Sequence, residues 1–234
     1  MRSIAKLMKD WQFTGPNGVT TAVELPHTWN ARDGQDGGND YWRGCCTYCT
    51  RFAAPVYDPA QQQVWLQFEG VNASAAVLLN GQQLCTHDGG YSTFRAEVTE
   101  LLQAENQLTV RVDNSVNDCV YPQKADFTFY GGIYRDVSLL VVNKNHIALG
   151  HFGDTGVKIT PALQENSADI RVETLVEGSG TVTVELLDAE GRTAAKGEGE
   201  NTFLHLDAPH LWNGVKDPYL YTCVVRLLQD GQPV

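Results

Sequence analysis

Residues 75–84 read Ala-Ala-Val-Leu-Leu-Asn-Gly-Gln-Gln-Leu, an apolar run broken by Asn80-Gly81 and resumed on the other side. Asn and Gly both tolerate the positive φ that a type I′ turn demands at its two central residues. The stretch therefore predicts a β-hairpin with Ala75–Leu79 as one strand and Gln82–Leu84 as the start of the next. Outward from it, Val64–Phe68 (VWLQF) alternates as a half-buried strand does, and Leu108–Val112 and Val137–Val142 supply two more. Between them, Glu97–Leu102 reads as a single helical turn with Thr99 as its cap.

A polar connection, Asn143-Lys144-Asn145, separates this region from a second series of strands. These are Val157–Thr160, Asp169–Val176, Thr181–Leu187 and Tyr221–Leu228, with Gly178-Ser179-Gly180 and Asp188–Gly191 as hairpin turns. A further turn at Asp230-Gly231-Gln232 implies a partner strand for Tyr221–Leu228. The expected architecture is all-β, with one sandwich over residues 1–142 and another over 143–234.

Composition fits a globular chain of 234 residues, 42% hydrophobic and 19% charged, with 22 glycines and 9 prolines to make turns. A formal charge of −11 without any basic run argues against nucleic acid as a partner. No stretch is long and apolar enough to span a bilayer, and MRSIAKLMKDWQF has no signal-like apolar segment, so a cytoplasmic location is expected. The sequon Asn72-Ala73-Ser74 reads as accidental in that setting. Six cysteines lack a paired CxxC arrangement, and strand alternation would point Cys45 and Cys49 to one face and Cys46 to the other. Small buried thiols are expected, rather than a metal site or disulfides.

No G-x-S-x-G, H-E-x-x-H or phosphate-loop motif occurs, and the six histidines form no close ligand pair. Three segments could meet a ligand. Leu25–Asn30 with Asp33–Trp42 is glycine- and acid-rich and ends in aromatics. His87–Phe94 (HDGGYSTF) puts two glycines between polar and aromatic residues, which favours a packed bend. Tyr121–Val137 sets Asp126 among Phe127, Phe129, Tyr130 and Tyr134 before Gly131-Gly132. A carboxylate with aromatic neighbours suits a sugar, whose hydroxyls donate to the acid while its C–H face covers a ring. A buried structural aspartate is the competing reading.

The blocks LPHTWN with YWRG, FEGVNASAAVLLNG, HDGGYSTF and ADFTFYGGIYRDVSLL, then HFGDTGVKITP and APHLWNGVKDPYLYT, follow one another along the chain. In that order they resemble the N-terminal region of family 2 glycoside hydrolases. The resemblance implies a galactose-binding-like jelly roll followed by an immunoglobulin-like sandwich, truncated before its last strand. In the family a catalytic (β/α)8 barrel comes next, with the acid/base and nucleophile glutamates of a retaining hydrolase; nothing here resembles it. No catalytic residue is therefore expected in this chain, which by itself should be inactive and need no cofactor.

By the same resemblance Asp126, opening D-x-x-x-x-x-G-I, would reach sugar hydroxyls and help hold a sodium ion in the complete site. Asn39 is the second candidate for sugar contact. Tyr134, where family β-glucuronidases carry histidine, makes the block more like β-galactosidases, so the implied substrate is a terminal β-D-galactoside. A β-glucuronidase fragment, a freestanding carbohydrate-binding module and an architectural or homo-oligomer-forming pair of sandwiches are the alternatives.

Overall fold

The computed structural model describes residues 2–31, 41–121, 128–150 and 153–234. Apart from one 3-10 turn at Thr99–Leu101, its regular structure is all strand. The chain divides into two compact units, Ser3–Val141 and, for the most part, Val142–Val234.

The first unit contains β1 (Ser3–Lys6), β2 (Trp11–Thr14), β3 (Thr20–Val23), β4 (His27–Thr28), β5 (Cys45–Ala53), β6 (Gln62–Phe68) and β7 (Val71–Asn72). It continues with β8 (Ser74–Leu79), β9 (Gln82–Asp88), β10 (Phe94–Glu97), β11 (Glu105–Asp113), β12 (Gly132–Ile133) and β13 (Val137–Asn143). One sheet runs β1-β13-β6-β10 and a larger one β3-β2-β5-β11-β8-β9, while β4-β12-β7 form a small third sheet. The core draws on both large sheets, joining Leu66, Phe68, Leu139 and Val141 to Trp11, Tyr48, Val77, Leu79 and Val110. Side chains in β5 and β11 alternate between core and solvent, as half-buried strands require.

The expected hairpin is β8–β9, with Leu79 opposite Gln82 and φ of 52° at Asn80 and 84° at Gly81. β6 departs from expectation: Val64, Trp65 and Leu66 are all buried, so this central strand is covered on both faces. The 3-10 turn also departs. Val98 occupies its N-cap, and the Thr99 hydroxyl instead accepts the backbone N–H of Val64 at 2.9 Å. Thr99 thus ties the turn to β6.

The second unit contains β14 (His146–Ile147), β15 (Val157–Leu163), β16 (Ser167–Thr174), β17 (Val176–Glu177) and β18 (Thr181–Leu187). After these come β19 (Thr193–Glu198), β20 (Asn201–Asp207), β21 (Thr222–Gln229) and β22 (Gln232–Pro233). Sheet β15-β16-β20 and sheet β19-β18-β21-β22 enclose a core that includes Ile170, Val172, Val184, Leu204 and Leu227. β19 and β20 extend the expected strand list. The Asp188 carboxylate accepts the N–H groups of Glu190 and Arg192, closing the β18–β19 hairpin. Gly178–Gly180, by contrast, passes the chain from β17 to β18, which lie in different sheets, so it is not a hairpin turn.

The cysteines of β5 alternate as expected, Cys45 exposed and Cys46 buried. Burial, then the neighbouring Cys45 and Asp113, push the Cys46 thiol up to about 12. Cys45 and Cys119 lie on the surface, so only part of the set behaves as buried packing residues. Among the described residues no helix is long and apolar enough to cross a membrane.

Candidate functional site

Asp126 and Asn39, the residues expected to meet a sugar, lie outside the described residues. The structure does show how the chain on either side of each is held.

Two fully buried asparagines, Asn30 and Asn114, do most of this. The Asn30 amide N–H donates to the carbonyl of Trp42 at 2.9 Å, so chain before and after residues 32–40 meets at one side chain. Its amide oxygen accepts from the Gly131 N–H at 2.7 Å and from Asn114 at 3.1 Å. Asn114 also donates to the Phe129 carbonyl, accepts the Gly44 N–H, and its own carbonyl takes the Arg43 Nε proton at 2.7 Å. A third asparagine, Asn72, donates to the Tyr130 carbonyl at 2.8 Å. A buried amide with both ends satisfied is rigid, because any shift strands a polar group away from water. Asn72, 4% exposed, is committed to packing in the same way, so its sequon is not presented on the surface of the folded chain.

The same strip is fixed from the other side by β4. Thr28 Oγ1 donates to the Gly131 carbonyl, and Gly132 and Ile133 pair with Thr28 and His27. Here glycine is required by space. A Cβ on Gly131 would lie 2.0 Å from the Trp29 ring, and one on Gly132 2.4 Å from the His27 carbonyl. His27 Nδ1 sits 2.7 Å from the buried Tyr48 hydroxyl. That hydroxyl is also engaged by the Ile133 backbone, and burial raises it well above the usual tyrosine range. Tyr48 therefore takes the Ile133 N–H and shares a second hydrogen bond with His27, whose pKa burial lowers.

Around this lacing the surface is aromatic. Arg43 stacks over Phe129 and Tyr41 with its guanidinium carbon 5.3 and 5.8 Å from the ring centres. Tyr91, Tyr121 and Tyr130 are exposed. Arg43, Asn72, Tyr91, Asn117, Tyr121 and Phe129 line a crevice of about 10 Å³. That is room for about one water, far less than the several hundred Å³ of a ligand pocket.

His87–Phe94 proves to be a packed bend. His87 stacks on Phe94 with centroids 4.3 Å apart and bonds Ser92, while Asp88 accepts from Asn117 at 2.8 Å. Tyr134 donates to the Gly90 carbonyl and packs edge-on against Tyr91, so it fastens that bend. Among the described residues no cluster of three or more His, Cys, Asp or Glu could hold a metal. The buried asparagines Asn30 and Asn114 are the structural joints that reading the sequence missed. Asn30 closes the quoted LPHTWN block, but nothing in composition marks either one as a joint between distant loops.

Residues 38–162 match the family model described as glycosyl hydrolase 2 galactose-binding domain-like, and 151–234 match the model for glycosyl hydrolases family 2. A β-glucuronidase of Bacteroides fragilis is 32% identical over 97% of the chain, and the β-galactosidase BoGH2A of Bacteroides ovatus 30% identical over 95%. The crystal structure of an FMN-binding β-glucuronidase from Faecalibacterium prausnitzii L2-6 superposes over the whole chain with a TM-score of 0.91 at 34% identity. The chain spans about a third of these proteins, 36%, 29% and 38% of their respective lengths. With both family models matched in succession over an all-β fold of two units, the chain belongs to family 2 of the glycosyl hydrolases.

Proposed function

We propose that this chain is the non-catalytic N-terminal part of a retaining β-glycosidase and that its first unit supplies one wall of the sugar pocket. The carrying observation is the aromatic crevice itself: rigidly laced by Asn30, Asn72 and Asn114, yet with only about 10 Å³ of space. A wall so braced is suited to presenting groups to a sugar held mainly by another part of the protein. Asp126 and Asn39, in the two segments whose ends are pinned here, would contact sugar hydroxyls, and Asp126 would share a sodium ion. Retaining hydrolysis needs two carboxyl groups about 5–5.5 Å apart across the glycosidic bond, and both would come from outside this chain.

The substrate class is a terminal β-D-galactoside, on the resemblance of the Asp126–Val137 block. A β-D-glucuronide is the second reading, favoured by relatives 32 and 34% identical that carry β-glucuronidase names. Tyr134 marks the galactosidase resemblance, while its own hydroxyl donates to the Gly90 carbonyl and so holds the bend rather than a sugar. Assaying full-length protein on p-nitrophenyl β-galactoside and β-glucuronide tests the proposal. Turnover of one with retention of anomeric configuration is expected, and turnover of neither would reject it.

A further inference from the structure

The first unit carries a second concavity, which shares no lining residue with the crevice at Arg43 and Tyr121. It is a groove of about 400 Å³ between the β2–β3 hairpin and β4, lined among others by Phe13, Asn17, Val19, Thr21, His27 and Trp29. That volume lies within the range of small-molecule sites, about 300–1,000 Å³.

Both rims are fixed by the protein alone. Asn17 Oδ1 accepts the Val19 N–H at 3.0 Å, and the Gly15 N–H donates to the Val19 carbonyl at 3.1 Å, so the hairpin loop closes on itself. Gly15 lets that loop lie close, since a Cβ there would come 3.3 Å from the Phe13 ring. Opposite, β4 is paired to β12, and the His27 ring is held by Tyr48 and packs on Phe13 with centroids 4.8 Å apart. Trp29 runs nearly parallel to Phe13, with 16° between the planes and 6.0 Å between centroids, and lies against Gly131. A site ordered before its ligand arrives loses little entropy on binding.

The chemistry of the lining selects the occupant. No Asp, Glu, Lys or Arg is among the described residues that line the groove, so a charged ligand finds no counter-charge. Burial lowers the His27 pKa, so that ring too is neutral near pH 7. An apolar ligand would suit Trp29 and Val19 but would cut three polar groups off from water. These are His27 Nε2, the Asn17 amide N–H2 and the Thr21 hydroxyl, none of which bonds another described residue; Tyr48 engages only Nδ1 of His27. A neutral sugar satisfies both sets. Its hydroxyls pair with the imidazole, amide and hydroxyl, and its C–H face covers the half-buried indole of Trp29.

We propose that this groove is a carbohydrate subsite that takes one neutral sugar residue of a glycan, with Trp29 as its platform and Asn17, Thr21 and His27 as its hydrogen-bonding partners. It is a binding site apart from the wall that carries Phe129 and Tyr121, and it stands whichever glycoside the protein hydrolyses.

Magnetic resonance of the isotope-labelled 234-residue chain, titrated with galactose, tests this. The amides of Asn17, Val19 and Thr21 and the indole N–H of Trp29 should shift together and saturably, with a dissociation constant of roughly 10 mM. Galacturonate, the same ring with a carboxylate, should bind about fivefold more weakly. Asn17→Ala should weaken galactose about threefold, and so should Thr21→Val, which leaves the loop's own bonds intact. Absence of a saturable shift up to about 100 mM galactose would overturn the proposal, as would galacturonate binding as well as galactose. Shifts confined to Tyr91, Tyr121 and Phe129, or unchanged affinity in both variants, would overturn it too.

Discussion

In sequence, Asp126 comes shortly before the Phe129–Gly131 strip that is laced to Asn30 and Asn114. In the full-length enzyme Asp126→Ala should lower kcat/KM by roughly ten- to a hundredfold, the worth of a charged hydrogen bond of about 1.5–3 kcal/mol expressed in the transition state. The melting temperature of the 234-residue chain should stay unchanged, whereas a buried structural acid would lose both together. Gly131→Ala is the converse case. Its new methyl group meets Trp29, and overpacking of this kind costs about 1–3 kcal/mol, so the chain's melting temperature should fall. His27 supplies a pH dependence. Its folded pKa is lowered by burial, so the unfolded chain takes up the proton first. Its contribution is complete above the ordinary histidine range, near 6.5, and is lost as pH falls through the lower folded value. His27→Asn should therefore flatten the decline in stability between pH 7 and pH 5, measured by urea unfolding at each pH. His205, exposed and raised by its bond to Asp169, titrates with the opposite sign and is untouched by that substitution.

Among the elements, the β8–β9 hairpin shows how a two-residue signal is made secure. Asn80 accepts the Gln107 N–H and donates to the Leu101 carbonyl and to Asn106, so it clamps the turn to the start of β11. A Cβ at Gly81 would meet nothing within 4 Å. Asn80→Ala should thus cost about 2 kcal/mol, from lost hydrogen bonds and left-handed strain, against about 1 kcal/mol for Gly81→Ala, which carries the strain alone. Urea denaturation of the two variants gives the comparison. Elements of this sort were legible because turn chemistry and alternation are local. β18 was read to its end residues, and β8, β11 and β13 to within a few. β19 escaped because Thr-Ala-Ala-Lys-Gly-Glu has little apolar contrast, although β20 after it buries Thr202, Leu204 and Leu206 in strict alternation. Gly178–Gly180 misled because glycines mark a bend without saying whether the next strand joins the same sheet. The lacing at Asn30 and Asn114, partners 84 residues apart, is a property of the tertiary fold that no local window contains.

For the molecule as a whole, the legible part was the architecture and family, and the illegible part was the geometry of the site. A crevice of about 10 Å³ cannot enclose a monosaccharide. The purified 234-residue chain should accordingly hydrolyse neither chromogenic galactoside nor glucuronide, and calorimetry should find galactose binding weaker than about 1 mM, some 4 kcal/mol. Turnover abolished by a substitution within the chain would place the chemistry here instead. The uneven burial of the indoles has a practical result. Four of the five tryptophans fall in the first unit, where Trp11 is wholly buried, and the second holds Trp212 alone. Trp212, at 64% exposure, already emits from a watery setting. A red shift of fluorescence on denaturation will therefore follow the first unit almost exclusively. Quenching of Trp212 by acrylamide, in a variant whose other indoles are replaced by phenylalanine, offers a separate optical channel for the second.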